Sequence, residues 1–363
     1  MLPSTAALPR PRLPSLARRL GEAATGPHGL DRYLELLSPL WVRGECRARI
    51  EAVRPEATDC ATLVLRPNRA WDGMAAGQHV PVSVEIDGVC HERRFSVASS
   101  AHRRDGRIEL TVKIHPDGRV SRHLVTRARP GTILRLGPAA GDFTLPWPRP
   151  PRLLLISGGS GITPVMSMLR TLCDEGHDGR VDFLHYARTR RDAIFADEVA
   201  ALARRHPNVH PRTILTREER DGGRFRAGHL PRDHTDCETY VCGPAPLIEA
   251  VTDHWDRAGL SHRLHREFFR PPATRPAVDA AGRVCFERSG VTAAGDGRPL
   301  LEQAEAAGLT PAHGCRMGIC RGCVCRKTAG RVRDLQTGRL SGDGEEDIRI
   351  CVNAPAGDVT LQI

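Results

Sequence analysis

Long apolar runs are missing from this chain: no stretch approaches the roughly 18 apolar residues that span a bilayer. Aromatic residues are scarce at 4%, with only three Tyr, and no basic stretch is interleaved with rings that could stack bases. The net charge of +10 comes almost wholly from scattered Arg. It reads as a generally basic surface, with no nucleic acid among the expected partners. The first twenty residues carry four Arg and four Pro but no apolar core, which excludes a secretory signal. Internal repeats are absent. A disulfide framework is absent too: of twelve Cys, seven are scattered and five crowd the last fifty residues. Thiols kept reduced in a cytoplasm fit that distribution, and a metal or cluster site is the natural use for the crowded set.

The 363 residues predict a multidomain chain. Residues 1–44 read as an N-terminal extension, Pro-broken up to 27. Residues 28–42 predict a short helix opened by Asp31 and closed before Pro39. Across 45–150, short β-branched runs (ATLVLRP, HVPVSVEIDG, RIELTVKIHPDG, TILRLGP) alternate with turn signals and predict an antiparallel β-barrel. PWPRPP (146–151) reads as a linker or edge. Across 151–270, RLLLIS, VDFLHYA and TYVCGP alternate with helical patterns, predicting an α/β Rossmann-like domain. One of those helices is expected to be capped by Asp192 and stopped at Pro207. Residues 271–278 read as a Pro-rich linker. Residues 279–363 offer a hairpin, a helix, a Cys loop and a closing strand, the layout of an α+β β-grasp.

Cys315, Cys320 and Cys323 follow the spacing C-x4-C-x2-C, and Cys351 lies 28 positions on. This is the plant-type [2Fe–2S] pattern. Gly314, Gly318 and Gly322 let the backbone wrap a small anionic cluster closely. Structural zinc is the competing use, but it favours paired C-x2-C knuckles rather than three ligands on one glycine-rich loop. Cys325 falls outside the spacing and reads as a buried strand residue. Upstream, Gly158-Gly159-Ser160-Gly161 follows a strand and opens a helix, where backbone N–H groups can meet a pyrophosphate. The next strand ends in Arg188-Thr189-Arg190-Arg191 with no acid before Asp192, which favours a 2′-phosphate and so NADPH. Cys242-Gly243-Pro244 ends a further strand.

In that order the motifs resemble the ferredoxin–NADP reductase superfamily, in the branch with a C-terminal ferredoxin domain. Arg93-Arg94-Phe95-Ser96 resembles the flavin motif R-x-Y-S. The resemblance implies that Arg93 meets the flavin phosphates, Phe95 packs on the ring without the usual hydroxyl, and Ser96 bonds near N5. Val112, Lys113, Gly118, Val120 and Ser121 resemble the stretch that holds the flavin pyrophosphate. Gly158, Gly159, Gly161 and Thr163 match the GGxGITP nucleotide loop. Cys242, Gly243 and Pro244 match the CGP motif, with Leu247 in place of the usual Met. Glu267 and Phe269 match E-x-F, whose aromatic residue can cover the flavin. The helix and domain order are similar to reductase partners of actinobacterial acyl-CoA desaturases.

The resemblance implies an electron-transfer reductase using NADPH, FAD (with FMN left open) and a [2Fe–2S] cluster. Ser96, Thr163, Cys242 and Glu267 would line the hydride-transfer site. The expected outlet is a partner protein, an oxygenase or a desaturase that can be membrane-bound, which would bring this chain to the membrane edge. The alternative is a stand-alone NAD(P)H reductase for quinones or oxygen. Arg316, Arg321, Arg326 and Lys327 are expected to rim the cluster loop and to offer a basic docking edge.

Overall fold

The computed structural model describes residues 35, 37–42, 44–116, 118–218, 223–269, 282–313, 316, 318, 322–336 and 338–363. The Pro-broken tail, most of the expected first helix and the Pro-rich linker at 271–278 lie outside them. Glu35 and Leu37 are helical, and the chain turns at Pro39.

The first sheet is antiparallel and six-stranded. Its strands are β1 (Cys46–Ala57), β2 (Cys60–Pro67), β3 (His79–Ile86), β4 (Val89–Ser96), β5 (Ile108–Lys113) and β6 (Ile133–Leu136), ordered β4-β3-β6-β1-β2-β5. A bridge from Val97 to Leu110 joins the two edges, which makes the sheet a barrel. Val80, Val82, Val84 and Ile86 alternate inward on β3 and meet Ile50, Leu63, Leu65 and Leu134 in the core. Asp87 and Gly88, both at positive φ, form the tight turn from β3 to β4. Helix α1 (Arg119–Thr126) seals one end with Val120 and Leu124. Three of these elements were not foreseen. β1 and β4 are rich in Arg and Glu, and are strands because neighbours pair with them. The short helix α1 buries only Val120 and Leu124, one turn apart, too short an apolar stripe to stand out in the sequence.

The second sheet is parallel: β7 (Arg152–Gly158), β8 (Arg180–Ala187), β9 (Val209–Leu215), β10 (Glu238–Gly243) and β11 (Leu264–Phe268), ordered β11-β10-β7-β8-β9. Helices α2 (Ile162–Glu175), α3 (Ala196–Arg205) and α4 (Ala245–Arg257) cross between its strands. One expectation is corrected here. α3 starts at Ala196, after Phe195 at φ 60°, so Asp192 is not its cap. The Asp192 carboxylate instead accepts hydrogen bonds from Arg188 (2.6 Å) and Thr189 (2.8 Å).

The third sheet contains β12 (Arg283–Phe286), β13 (Val291–Ala294), β14 (Val324–Asp334), β15 (Glu346–Arg349) and β16 (Asn353–Leu361), ordered β13-β12-β16-β14-β15. Helix α5 (Leu300–Ala306) buries Leu300, Leu301 and Ala304 against it, and β12 runs parallel to β16. This mixed sheet under one helix is a β-grasp. Among the described residues no helix is long and apolar enough to cross a membrane.

Barrel and parallel sheet share one apolar cluster, in which Ala76, Ala98, Phe143 and Leu145 meet Leu153, Met168 and Leu172. Helix α2 also carries a polar seam. Ser167 donates to the Ser99 carbonyl (2.8 Å), and Thr171 accepts from the Ala101 N–H (3.0 Å). Arg170 donates to the Ala98 carbonyl (2.7 Å) and pairs with Glu109 (3.1 Å) and Glu198 (2.6 Å). The Glu109 carboxylate is buried and also meets Arg54 and Arg103. Removing one partner of a buried charge costs more than the pair contributes. Arg170→Met should therefore destabilise the two modules by about 3 kcal/mol, read by urea unfolding. Adding Glu109→Gln should deepen that loss, because Arg54 and Arg103 then lose their shared carboxylate.

Candidate functional site

Register across the parallel sheet brings four polar residues into one row at its carboxyl edge. His185 on β8 aligns with Ser157 on β7, Ser157 with Cys242 on β10, and Cys242 with Glu267 on β11. All four are buried. His185 Nδ1 and Ser157 Oγ lie 2.8 Å apart. The carboxyl edge of an open α/β sheet is where such folds bind ligands. Sequence reading found Cys242 and Glu267 but missed Ser157 and His185, whose only signal was a polar residue inside an apolar strand.

Two loops meet backbone to backbone above this row. A Cβ on Gly161 would lie 2.3 Å from the Cys242 carbonyl oxygen, and one on Gly158 would meet Pro244 and Leu247 at 2.8 Å. Glycine at both positions is therefore a packing requirement. Gly159 sits at φ +54° with open space before it, which leaves backbone accessible at the N-terminus of α2. Thr163, in the first turn of α2, is buried and donates to the Ser160 carbonyl (3.1 Å). Arg188 and the exposed Arg190 follow β8. The Arg188 guanidinium pairs with Asp192 and lies 3.6 Å from Asp59 of the barrel, which pairs with Lys113 at 3.1 Å.

Electrically the row is neutral. Burial pushes Glu267 up to about 8 and leaves one of its oxygens without a partner. Burial, with the Glu267 charge added, raises the Cys242 thiol well above its usual range. Burial drops His185 to about 4, helped by Lys113.

On the barrel, Ser96 ends β4 and is buried, Phe95 leans on the barrel core and Arg93 is exposed. Val112 is buried beside Lys113 on β5. Val120 is buried in the first turn of α1. Ser121 accepts from the His115 N–H (3.1 Å) and donates to the Gly118 carbonyl (3.1 Å), so its hydroxyl closes the turn ahead of α1. The donors left for an anion there are backbone N–H groups of the first turn. Phe269 follows β11 and packs on the cluster shared by barrel and sheet.

Of the four cysteines expected as ligands, Cys315 and Cys320 lie outside the described residues. Cys323 and Cys351 are buried with sulfurs 3.1 Å apart, and the Gly318 N–H donates to the Cys351 sulfur at 3.2 Å. Hydrogen bonding with Cys351 holds the Cys323 thiol well below its usual range. Two adjoining buried sulfurs, one of them held toward its thiolate, beneath a backbone donor suit an iron–sulfur cluster. Cys325 is only partly buried on β14, where its thiol faces the Arg326 carbonyl (3.5 Å).

The expected basic rim is corrected. Lys327 is fully buried, donating to the carbonyls of Gly330 (2.7 Å) and Gly342 (3.0 Å). Arg316 is forked onto Glu305, and Arg326 onto Glu345 and Asp347. Arg321 lies outside the described residues. The polar pattern of these residues hid their acidic partners, which come from elsewhere in the same module.

Three family models match in succession: an oxidoreductase FAD-binding domain over residues 48–145, an oxidoreductase NAD-binding domain over 155–253, and a 2Fe-2S iron-sulfur cluster binding domain over 286–355. An NADPH oxidoreductase of Mycobacterium tuberculosis is 40% identical over 353 residues, covering 95% of this chain and 92% of that one. This chain belongs to the ferredoxin–NADP reductase superfamily, in the branch with a C-terminal [2Fe–2S] domain. The glycine betaine monooxygenase reductase subunit of Chromohalobacter salexigens is 30% identical over 356 residues, covering 89% and 96%. The solved phthalate dioxygenase reductase shares the fold, with a TM-score of 0.57 at 21% identity over 88% of this chain and 98% of that one. The chain is thus an NAD(P)H-dependent oxidoreductase with FAD and a [2Fe–2S] cluster.

The neutral row generates a pH prediction. Folding raises Glu267 from about 4.5 to about 8, so its contribution to stability is full below about 4.5 and is lost as pH climbs to about 8. Glu267→Gln removes this titration. The variant should gain on the wild type between about pH 5 and about pH 8 and then level off, read by urea unfolding at each pH.

Proposed function

We propose that this reductase draws electrons from NADPH and delivers them to a separate protein, an oxygenase or an acyl-CoA desaturase. The observation that carries it is the pair of adjoining buried thiols of Cys323 and Cys351 in a module appended to a nicotinamide and flavin pair. A one-electron outlet has no use in an enzyme that hands hydride to a small molecule. The relatives support an oxygenase, since several are reductase subunits of monooxygenase or demethylase systems.

Bound FAD supplies the conversion of one hydride pair into single electrons. The chain's residues do the placing. Ser96, buried at the end of β4, would supply a hydroxyl to the reactive edge of the flavin, and the exposed Arg93 would supply a cation to its phosphates. Phe95 and Phe269 supply apolar cover. Val112, Lys113, Gly118 and Val120 shape the pyrophosphate site, with Ser121 as its turn-closing residue. Gly158, Gly159 and Gly161 admit the nicotinamide nucleotide, and Thr163, Cys242, Gly243 and Pro244 wall its ring. Cys242 and Glu267, both neutral, keep water and charge away from the hydride path. Arg188 and Arg190 take the 2′-phosphate that distinguishes NADPH from NADH. Cys315, Cys320, Cys323 and Cys351 hold the cluster.

The test is reconstitution of the purified protein with NADPH and candidate oxygenases or membrane desaturases, measuring product. Acceptor-dependent turnover is expected. Fast quinone reduction with no turnover of any protein acceptor would establish the stand-alone reading instead. Two variants dissect the path. Cys351→Ser should lose cluster absorption and delivery to a protein acceptor, while keeping NADPH-dependent ferricyanide reduction. Arg188→Ala with Arg190→Ala should raise the KM for NADPH about tenfold or more and leave that for NADH nearly unchanged.

A further inference from the structure

The parallel sheet has a second face, where Ile156, Val241, Ile248, Val251 and Trp255 form a core apart from the barrel. At its margin lie two histidines that the electron path does not use. His254 is on α4, and His234 opens the short turn His234–Asp236 that leads into β10. Their Nε2 atoms are 3.2 Å apart. His234 Nδ1 lies 3.0 Å from the Pro231 carbonyl oxygen. A carbonyl only accepts, so the proton sits on Nδ1 and Nε2 turns its lone pair toward His254.

A bridging hydrogen bond from His254 is one way to satisfy this pair, and a shared cation is another. Two imidazole nitrogens bound to one tetrahedral cation at about 2.0–2.1 Å stand about 3.3 Å apart, which is close to the separation here. A backbone carbonyl on the far nitrogen is also the usual support of a ligating histidine. The rings are held in advance by aromatic neighbours. Trp255 stands 5.7 Å from His234 and 5.4 Å from His254, and Phe225 stands 6.0 Å from His254, all edge to face. Both rings are half-buried and reachable from solution.

We propose that His234 and His254 form a two-imidazole site for a late transition-metal dication such as Ni²⁺ or Zn²⁺. Imidazole selects these over hard cations such as Mg²⁺ and Ca²⁺. Water completes the coordination shell, and two protein ligands set an affinity well below that of a closed four-ligand site. The cation joins the segment entering β10 to the helix leaving it. It therefore clamps both flanks of the strand that ends at Cys242-Gly243-Pro244.

The test titrates Ni²⁺ into tag-free holoprotein by calorimetry, using wild type, His234→Gln, His254→Gln and Cys237→Ser. Cys237 is the nearby thiol and serves as control, since its sulfur faces the Asp233 carbonyl (3.7 Å). One equivalent of Ni²⁺ should bind the wild type and the Cys237 variant, and at least tenfold more weakly to each histidine variant. Flavin and cluster absorption should be unchanged in all four, showing that each is folded. Saturating Ni²⁺ should raise the unfolding midpoint of the wild type by about 2 °C and that of neither histidine variant. Wild-type affinity in either histidine variant, or no wild-type binding up to about 1 mM, overturns the site. Binding without the thermal shift overturns the clamp.

Discussion

Arg170 is the contact on which the catalytic half of the molecule depends. Its guanidinium spends its donors on a barrel carbonyl, a buried barrel carboxylate and a carboxylate of α3. Ser167 and Thr171, three residues before it and one after, lie on the same side of α2 and also bond barrel backbone. The N-terminus of that same helix is the Gly159–Thr163 turn. One rigid element thus locates the nucleotide loop and holds the barrel against it. A shift of α2 would move both at once, which is why the seam is polar as well as apolar. Apolar packing tolerates sliding, whereas directed hydrogen bonds fix one register.

Charge is distributed to match. The row Glu267, Cys242, Ser157 and His185 is buried and neutral, while cationic and backbone donors sit at its margins, on Arg188, Lys113 and the helix N-termini. Low dielectric at the centre strengthens every dipole aimed there and excludes water from a hydride path. The marginal cations are themselves tethered, Arg188 and Lys113 through Asp59, so that a barrel turn helps to present the nucleotide side. Such pairs hold the guanidinium in position, and an anion arriving there has to compete with Asp59 and Asp192 for it.

How far the residues alone announce this arrangement depends on how local each signal is. Gly158–Thr163 and the C-x4-C-x2-C run were legible because strand, turn and ligand chemistry sit within a dozen residues. The antiparallel and parallel halves were legible from alternation in β3 and from the apolar runs of β7 and β8. β1 and β4 were not, since their strand state comes from partners far along the chain. The four-residue row and the Arg170 network were equally hidden, because register and cross-module pairing are tertiary facts. The basic rim failed for the same reason: composition showed Lys327 and Arg326, but not the carbonyls and acids that consume them.

That failure sharpens how electrons can leave. Arg316 and Arg326 are matched by acids of their own module, and Lys327 is enclosed, so among the described residues this edge exerts little long-range charge steering. Cys323 and Cys351 are buried, yet Val324, the next residue after Cys323, is 44% exposed. An acceptor reaching this edge would meet the exposed Val324 side chain next to Cys323, with the paired Arg326 two residues further along β14. Such a surface forms short-lived contacts, because little area is buried and the surrounding charges are already satisfied. Brief contact suits a carrier that must deliver one electron, release its partner and meet it again for the second.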